Sequence, residues 1–158
     1  MNKKIQNLLL ALLSLTAINA SAEESRFAQA EQLKNTGYYA KANRIYFLAL
    51  RKDNADTEAL YGLSDSFLRH HEYDNAEKKL NKLLAINSSH EDGLMLRAYL
   101  YALQEKWSQS IADYKTVIDM NPNRVDAYRN IKSAYTGAGD TESADAAGRM
   151  YESLKSKG

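Results

Sequence analysis

Residues 57–90 read TEALYGLSDSFLRHHEYDNAEKKLNKLLAINSSH, and this stretch decides the fold. It contains two short amphipathic segments of helical period joined by a tight turn. Residues 91–124 repeat the pattern at a spacing of 34 residues. The matched pairs are Leu60 and Leu94, Phe67 and Tyr101, Tyr73 and Trp107, Ala76 and Ser110, Leu80 and Tyr114, Leu83 and Val117, and Ile86 and Met120. A fixed period of this size predicts stacked helical hairpins.

The same period extends in both directions and accounts for residues 23–158. Residues 23–56 and 125–158 follow it, with Gly37 and Gly139 at matching turns and Tyr46 in the first unit's second helix. Four units of 34 residues leave 22 residues at the N-terminus. We predict helices over residues 24–36, 39–52, 57–70, 73–86, 91–104, 107–120, 125–136 and 141–155.

The third unit has the most specific pattern. Trp107 follows the turn, Tyr114 comes seven residues later, and Asn121-Pro122-Asn123 ends the unit. This pattern resembles the tetratricopeptide repeat (TPR) family over residues 23–158. The resemblance implies an all-α, right-handed superhelical solenoid whose concave groove binds peptides or protein segments. The four tandem TPR helix-turn-helix hairpins would be residues 23–56, 57–90, 91–124 and 125–158.

The first 22 residues have the layout of a secretory signal peptide. They contain a basic start at residues 3–4, an apolar run at residues 8–13, and the small-residue site Ala20-Ser21-Ala22. Polar residues at positions 14, 16 and 19 keep the apolar run shorter than the ~20 residues of a spanning helix. We predict cleavage after Ala22 and a periplasmic or secreted protein with no membrane span. Retention of the leader as an anchor is the alternative.

Composition excludes several classes of protein. The chain has 21 basic and 20 acidic residues, so loss of Lys3 and Lys4 with the leader gives a formal charge of −1. Nucleic-acid-binding proteins usually have a strongly basic surface, so we predict no nucleic-acid partner. The absence of cysteine excludes disulfides and thiolate metal sites.

No catalytic pattern is present in the sequence. It contains no glycine-rich phosphate loop, no H-E-x-x-H motif and no nucleophile elbow. His71 occupies the turn position of Gly37, and histidine tolerates positive φ better than most residues. A metal pair of His70 and His71 is the alternative, but no third ligand is near in sequence. We predict no catalytic, cofactor or metal site.

The TPR resemblance places the first helix of each hairpin on the concave groove. At its centre we expect an apolar surface made of Tyr61, Leu68, Met95, Tyr99 and Leu103. The remaining candidate groove residues are Phe27, Glu31, Asp65 and Arg69, of which the three charged ones would rim the centre. Acids around an apolar middle favour a partner segment that is apolar with basic residues.

An acidic residue recurs at the second place of every unit. These residues are Glu24, Glu58, Asp92 and Asp126, and we call them the acidic column. Two interpretations stay open. A carboxylate in the first helical turn gains about 0.3–1 kcal/mol from the helix dipole, and an unbroken column is also typical of a recognition stripe. Chaperone-binding members of the family carry a basic clamp, but the matching places here are Phe27, Glu31, Gly62, Asp92 and Leu96.

We therefore predict a non-enzymatic protein-binding scaffold. Resemblance to exported family members suggests assembly of an envelope machine such as a pilus, secretion, polysaccharide or cell-wall system. The fourth unit departs most from the pattern, with Thr141 and Gly148 in aromatic or large apolar places, and it would serve as a cap. The alternative is a structural homo-oligomer that stacks through an end face of Met150, Tyr151 and Leu154.

Overall fold

The computed structural model describes residues 5–6, 21–22 and 24–157 of the chain. Residues 24–157 contain eight α-helices and no β-strand. The helices are α1 (24–35), α2 (Tyr39–Lys52), α3 (Thr57–Arg69), α4 (Tyr73–Ile86), α5 (Glu91–Leu103), α6 (Trp107–Met120), α7 (Val125–Gly137) and α8 (Thr141–Lys155). They form four consecutive hairpins, so the predicted all-α repeat solenoid is confirmed. Of the predicted leader, the structure describes only positions 5–6 and 21–22; its other residues, and residue 23 after the predicted cut, lie outside the described residues.

The helix bounds follow the 34-residue period closely. The second helices of the four hairpins begin at Tyr39, Tyr73, Trp107 and Thr141. The predicted ends differ from the observed ends by at most one residue. The period therefore fixes where each hairpin begins and turns.

Each hairpin turns through one residue in the left-handed region of backbone space. These residues lie 34 positions apart and have φ values of 81° at Gly37, 61° at His71, 58° at Glu105 and 80° at Gly139. The prediction of His71 as a turn residue is thus confirmed. Glycine adopts this conformation at little cost, whereas His71 and Glu105 carry some backbone strain.

Side chains at the seams join each hairpin to the next. One buried cluster links the first two hairpins around Tyr46, Leu63 and Leu80, and a second links the later ones around Leu60 and Tyr114. Each of these five residues is at most 1% exposed. The core is therefore a continuous series of seams along the stack.

Two glycines mark close approaches between neighbouring hairpins. A Cβ atom at Gly62 would lie 2.4 Å from the ring of Tyr46, and one at Gly137 would lie 2.6 Å from the ring of Trp107. Trp107 therefore packs against the next repeat, as predicted. At Gly62 the close contact is with a ring that is only 1% exposed, so the seam leaves no space for a larger residue.

The last helix differs from the other second helices. In α8 only Ala144 and Ala147 are buried, and Gly148 occupies the place of the fully buried Tyr46, Leu80 and Tyr114. Most of the exposed side chains of α8 are polar, which is the property that a terminal repeat requires, although Met150 is also exposed.

Candidate binding groove

The first helices of the hairpins line the inner side of the stack. The backbones of α3 and α5 and of α5 and α7 approach each other, whereas no Cα pair within 8 Å joins α2 to α4, α4 to α6 or α6 to α8 in the described chain. The row of helices that lies closer together is on the inside of a curved stack. Helices α3, α5 and α7 therefore lie on the concave face, and α1 has the same place as these helices in the 34-residue register.

An open cleft lies between α3 and α5 on this face. Its volume is about 360 Å³. It is lined by Asp65, Leu68, Arg69, His71, Tyr73, Leu96, Tyr99 and Leu103. Tyr99 is 46% exposed and Leu103 is 42% exposed, so an aromatic ring and an aliphatic side chain face solvent side by side. We refer to this feature as the α3–α5 cleft.

The predicted apolar centre is only partly open. The structure places Tyr99 and Leu103 on the surface, but it buries Phe27, Leu68 and Met95 in the core. The expectation that Leu68 and Met95 form an exposed centre is therefore corrected. Both face the seams between neighbouring helices, where they exclude water from the core. Leu68 still forms part of the wall of the α3–α5 cleft.

Tyr61 lies between these two groups. It is half-buried and its ring stacks on the ring of His90, with 5.8 Å between centroids. Burial, and secondarily the charges of Asp65 and Asp92, raises the pKa of Tyr61 to about 12. Its phenol therefore stays protonated at neutral pH and can donate a hydrogen bond on the concave face.

The charged residues predicted at the rim form an ion-pair network around Lys34. Lys34 is only 2% exposed and its Nζ lies 2.8 Å from a Glu31 carboxylate oxygen, with Asp65 on its other side. Tyr46 Oη also donates to Glu31, at 2.6 Å. Arg69 Nε donates to both carboxylate oxygens of Asp65, at 3.2 and 3.1 Å. This network joins the first two repeats and forms the charged edge of the cleft.

The network also alters the acid–base properties of two of its members. The Asp65 carboxylate raises the pKa of Arg69 above its ordinary value, although burial opposes this effect. Burial, together with a hydrogen bond to Glu31, strongly raises the pKa of Tyr46. Both side chains therefore keep their protons at any physiological pH.

The two halves of the acidic column have different surroundings. Arg124 binds Asp92 at 2.6 Å and Asp126 at 3.0 Å, and it also contacts Glu91 at 3.1 Å. Glu58 instead has carboxylates nearby, and burial followed by the charges of Asp56, Glu24 and Glu31 raises its pKa. In the second half the column therefore pairs with Arg124, which connects the start of α5 to the start of α7.

Three residues of the α3–α5 cleft were missed from the sequence. They are His71, Tyr73 and Leu96. Tyr73 follows the hairpin turn, and its hydroxyl lies 3.0 Å from His71 Nδ1. Leu96 occupies the place of Gly62 in the preceding repeat, so the register could have shown that a side chain replaces hydrogen there.

The histidines have structural roles in this arrangement. His90 Nδ1 accepts a hydrogen bond from the Gly93 amide at 3.0 Å and so caps α5. His70 and His71 lie on an exposed turn next to Glu72 and Tyr73. In the part of the chain that the structure describes, no three residues among His, Asp and Glu are placed to share a metal ion. A search of the same residues finds no helix with the length and apolar character needed to cross a bilayer.

Comparison with known proteins places this architecture among the TPR-like solenoids. No protein-family model matches the sequence, and no curated protein sequence matches it. A crystal structure of MamA superposes with a TM-score of 0.76 at 20% identity, covering 89% of this chain and 77% of that chain. MamA from Desulfovibrio magneticus RS-1 gives a TM-score of 0.76 at 17% identity, covering 86% and 77%. The thermophilic TPR protein TTC0263 of Thermus thermophilus gives 0.73 at 21% identity, covering 85% and 75%. The fold of this chain is therefore TPR-like, as the sequence pattern predicted.

Proposed function

We propose that this chain is a non-enzymatic protein-binding module of the bacterial envelope, and that it holds a segment of a partner protein in the α3–α5 cleft. The observation that carries this proposal is the pair Tyr99 and Leu103, which are exposed beside each other on the concave face. Apolar side chains that line a concave surface are typical of a binding site, and aromatic anchors usually supply most of the binding energy.

The charges around the cleft define the partner more narrowly. Glu58 and Glu24 lie towards the N-terminal end of the concave face, and no ion pair to either carboxylate is found among the described residues. An apolar side chain would enter the α3–α5 cleft, and a lysine or arginine of the same segment would lie towards these carboxylates. Such charge complementarity fixes the orientation of the segment and raises the association rate.

The envelope location rests on the sequence of residues 1–22, whose layout is that of an export signal. Cell fractionation and the mass of the protein isolated from cells test it. We expect a mature chain that begins at residue 23 in the periplasm or the medium. Recovery of the full-length chain in the cytoplasm would contradict the location but not the groove.

Photo-crosslinking in cells tests the groove itself. A photoreactive phenylalanine analogue would replace Tyr99 or Leu103, and Lys78, which is exposed on the outer helix α4, would be the matched control position. We expect one discrete adduct from positions 99 and 103 and none from position 78. Adducts from position 78 alone would show that the outer face carries the function.

A second candidate function is self-association through the last repeat. Met150 on α8 is 44% exposed, and Tyr151 and Leu154 beside it are half-buried. Sedimentation of the protein with and without the substitution Met150→Glu distinguishes the two functions. A monomer at micromolar concentration in both cases would exclude stacking, whereas an oligomer that the substitution dissociates would support it.

A further inference from the structure

The outer row of helices has a charge gradient along the stack. Helix α2 carries Lys41, Arg44, Arg51 and Lys52 and no acidic residue, which gives it four positive charges. From their sequences, α4 has a net charge of +1, and α6 and α8 each have a net charge of −1. Positive charge is therefore concentrated on the outer face of the first repeat, although the whole chain is nearly neutral.

Two large apolar side chains are exposed among these basic residues. Phe47 is 44% exposed and Leu48 is 54% exposed. With Arg44 and Arg51 they recur at helical spacing, so they lie on one side of α2. Leu48 lines both a cleft with Phe47 and Arg44 and a second cleft at the N-terminal end of the stack. We call this surface the α2 outer face.

The repeat packing does not require apolar residues at these two places. The residues at the place of Phe47 in the later repeats are Asn81, Lys115 and Arg149. Those at the place of Leu48 are Lys82, Thr116 and Met150. The first repeat therefore has an exposed apolar pair where the middle repeats have polar residues, so the repeat pattern itself does not require apolar side chains at these places.

The contacts of the α2 outer face leave it free to meet another surface. Phe47 is fixed edge-to-face against Phe67, with 6.4 Å between centroids, and Lys79 of α4 lies 5.9 Å above its ring. Lys41 lies over the ring of Tyr38 at 4.8 Å. Within the described part of the chain, Lys41, Arg44 and Arg51 form no ion pair with a carboxylate.

We propose that the α2 outer face binds the surface of an anionic lipid bilayer. Phe47 and Leu48 would enter the boundary between headgroups and acyl chains, and Lys41, Arg44 and Arg51 would lie at the level of the lipid phosphates. This is the arrangement by which basic amphipathic helices bind membranes parallel to the surface.

The shape of the face favours a bilayer over an acidic polypeptide. The face lies on the convex side of the stack, and a convex surface can meet a flat one along a strip. Its positive charges extend along α2 from position 41 to position 51, roughly 15 Å at the helical rise. They do not converge on one point, as a site for a single carboxylate would require. The concave face then remains open on the side away from the membrane.

A fluorescent label at position 48 tests this proposal. The chain has no cysteine, so Leu48→Cys gives one labelling site for an environment-sensitive dye. Thr116→Cys is the matched control, since Thr116 has the same place in the third repeat and is exposed. The protein is used as isolated from cells. Because the signal reports on one position, membrane attachment through any other segment does not reproduce it.

We expect the dye at position 48 to brighten and shift to the blue with vesicles of phosphatidylglycerol and phosphatidylcholine. Vesicles of phosphatidylcholine alone should give no change, and the dye at position 116 should not respond. An equal response at both positions, or none at position 48, would overturn the proposal. A response to polyglutamate but not to vesicles would assign the face to acidic polypeptides instead.

Charge removal gives an independent test. The triple substitution Lys41→Gln, Arg44→Gln and Arg51→Gln should lower the partition coefficient for anionic vesicles at least tenfold, because each basic residue near such a surface contributes about fivefold. The control Lys132→Gln, Arg149→Gln and Lys157→Gln removes the same charge from the last repeat. It should change partitioning less than about twofold at physiological salt, where distant charges are screened. Equal losses in both variants would contradict a local binding face, and circular dichroism checks that both remain folded.

Discussion

Different ion pairs stabilise two junctions of the stack. One junction lies between the first and second repeats, and the other lies between the third and fourth. In the first, Lys34 is 2% exposed and lies between Glu31 and Asp65. In the second, the cation is Arg124, which is 21% exposed and binds carboxylates at the edge of the concave face. The cation is thus inside one junction and at the rim of the other.

The comparison shows that a repeat period fixes where helices meet but not the chemistry of the contact. Arg124 precedes α7, and the residues 34 and 68 positions earlier are His90 and Asp56. Both of these cap the following helix with a side-chain acceptor, whereas Arg124 has no such hydrogen bond. The same position of the repeat therefore provides a helix cap at Asp56 and His90 and an ion-pairing cation at Arg124.

The largest effect should come from Lys34. Replacing it with methionine keeps the length of the side chain but leaves the Glu31 and Asp65 carboxylates facing each other, with only the exposed Arg69 still paired to Asp65. Because removal of one partner from a buried ion pair costs about 3–5 kcal/mol and Glu31 is partly exposed, we expect Lys34→Met to lower the free energy of unfolding by ~3 kcal/mol. Urea denaturation followed by circular dichroism measures it.

Arg69→Ala is the matched control for Lys34, since it removes an exposed cation from the same Asp65 carboxylate. We expect it to cost under about 1 kcal/mol. Equal losses from the two substitutions would show that burial of Lys34 adds nothing to the first junction.

The two junction glycines should respond differently to alanine. At Gly62 the added methyl group meets the ring of Tyr46, which is 1% exposed and bonded to Glu31, so neighbouring atoms must move. Overpacking costs about 1–3 kcal/mol, and the higher helix propensity of alanine returns up to about 1. We expect a net loss of ~1 kcal/mol for Gly62→Ala.

For Gly137→Ala we expect almost no loss of stability, because Trp107 is only half-buried and can shift. Thermal unfolding of both variants tests this ranking, and a larger loss at Gly137 would reverse it.

Removal of Arg124 should have a moderate effect. Arg124→Ala leaves Glu91, Asp92 and Asp126 close together without their shared cation. Burial opposes the charged form of Arg124, but hydrogen bonds to Asp126, Asp92 and Glu91 raise its pKa above the ordinary value. For a partly exposed pair we expect a loss of about 1 kcal/mol, smaller than that of Lys34→Met. The loss should shrink in 1 M salt, where screening weakens the repulsion among the three carboxylates. A loss that does not depend on salt would indicate packing instead.

The smallest effects should come from substitutions in the acidic column, and they should change the melting temperature in opposite directions in its two halves. Burial and neighbouring carboxylates raise the pKa of Glu58 above 4.5, so its ionised form slightly destabilises the fold at neutral pH. Glu58→Gln should therefore raise the melting temperature slightly at pH 7. The gain should fall as the pH drops through the raised pKa and vanish below about 4.5, where Glu58 is protonated in both states.

Asp92→Asn is the matched change in the other half of the column. It removes the 2.6 Å ion pair with Arg124. We therefore expect it to lower the free energy of unfolding at pH 7 by less than about 1 kcal/mol, which appears as a slightly lower melting temperature. Shifts in the same direction for both variants would mean that the two halves of the column have the same role.

The fold was predictable because every local signal repeated. The turn positions, the aromatic residue after each of the first three turns and the 34-residue spacing placed each helix to within one residue. The exposed or buried state of the groove residues was harder to predict. Within one helix, Leu68 is buried while Arg69 is exposed, and the sequence period alone gives no rotation of the helix about its axis.

The buried cation at the first junction was missed for a related reason. Lys34 has the same place as Leu68, which is buried, so the register put a charge at a core position. A lysine at a buried position needs a partner of opposite charge, and Glu31 three residues earlier and Asp65 in the next repeat could supply it. The sequence therefore contained the signal for an ion pair. The ionic network was therefore present in the sequence but only becomes evident when equivalent places are compared across repeats.

The absence of contacts between distant repeats has a mechanical consequence. Among helices α2 to α8, each packs against its neighbours or against the next helix of the concave row, and no Cα pair within 8 Å joins α2 to α8. The stack is therefore elastic, because small rotations at successive junctions add up along its length. A rigid partner segment bound along the concave side would span several junctions and restrict rotation at each of them. The protein with the segment bound should therefore be stiffer than the free protein.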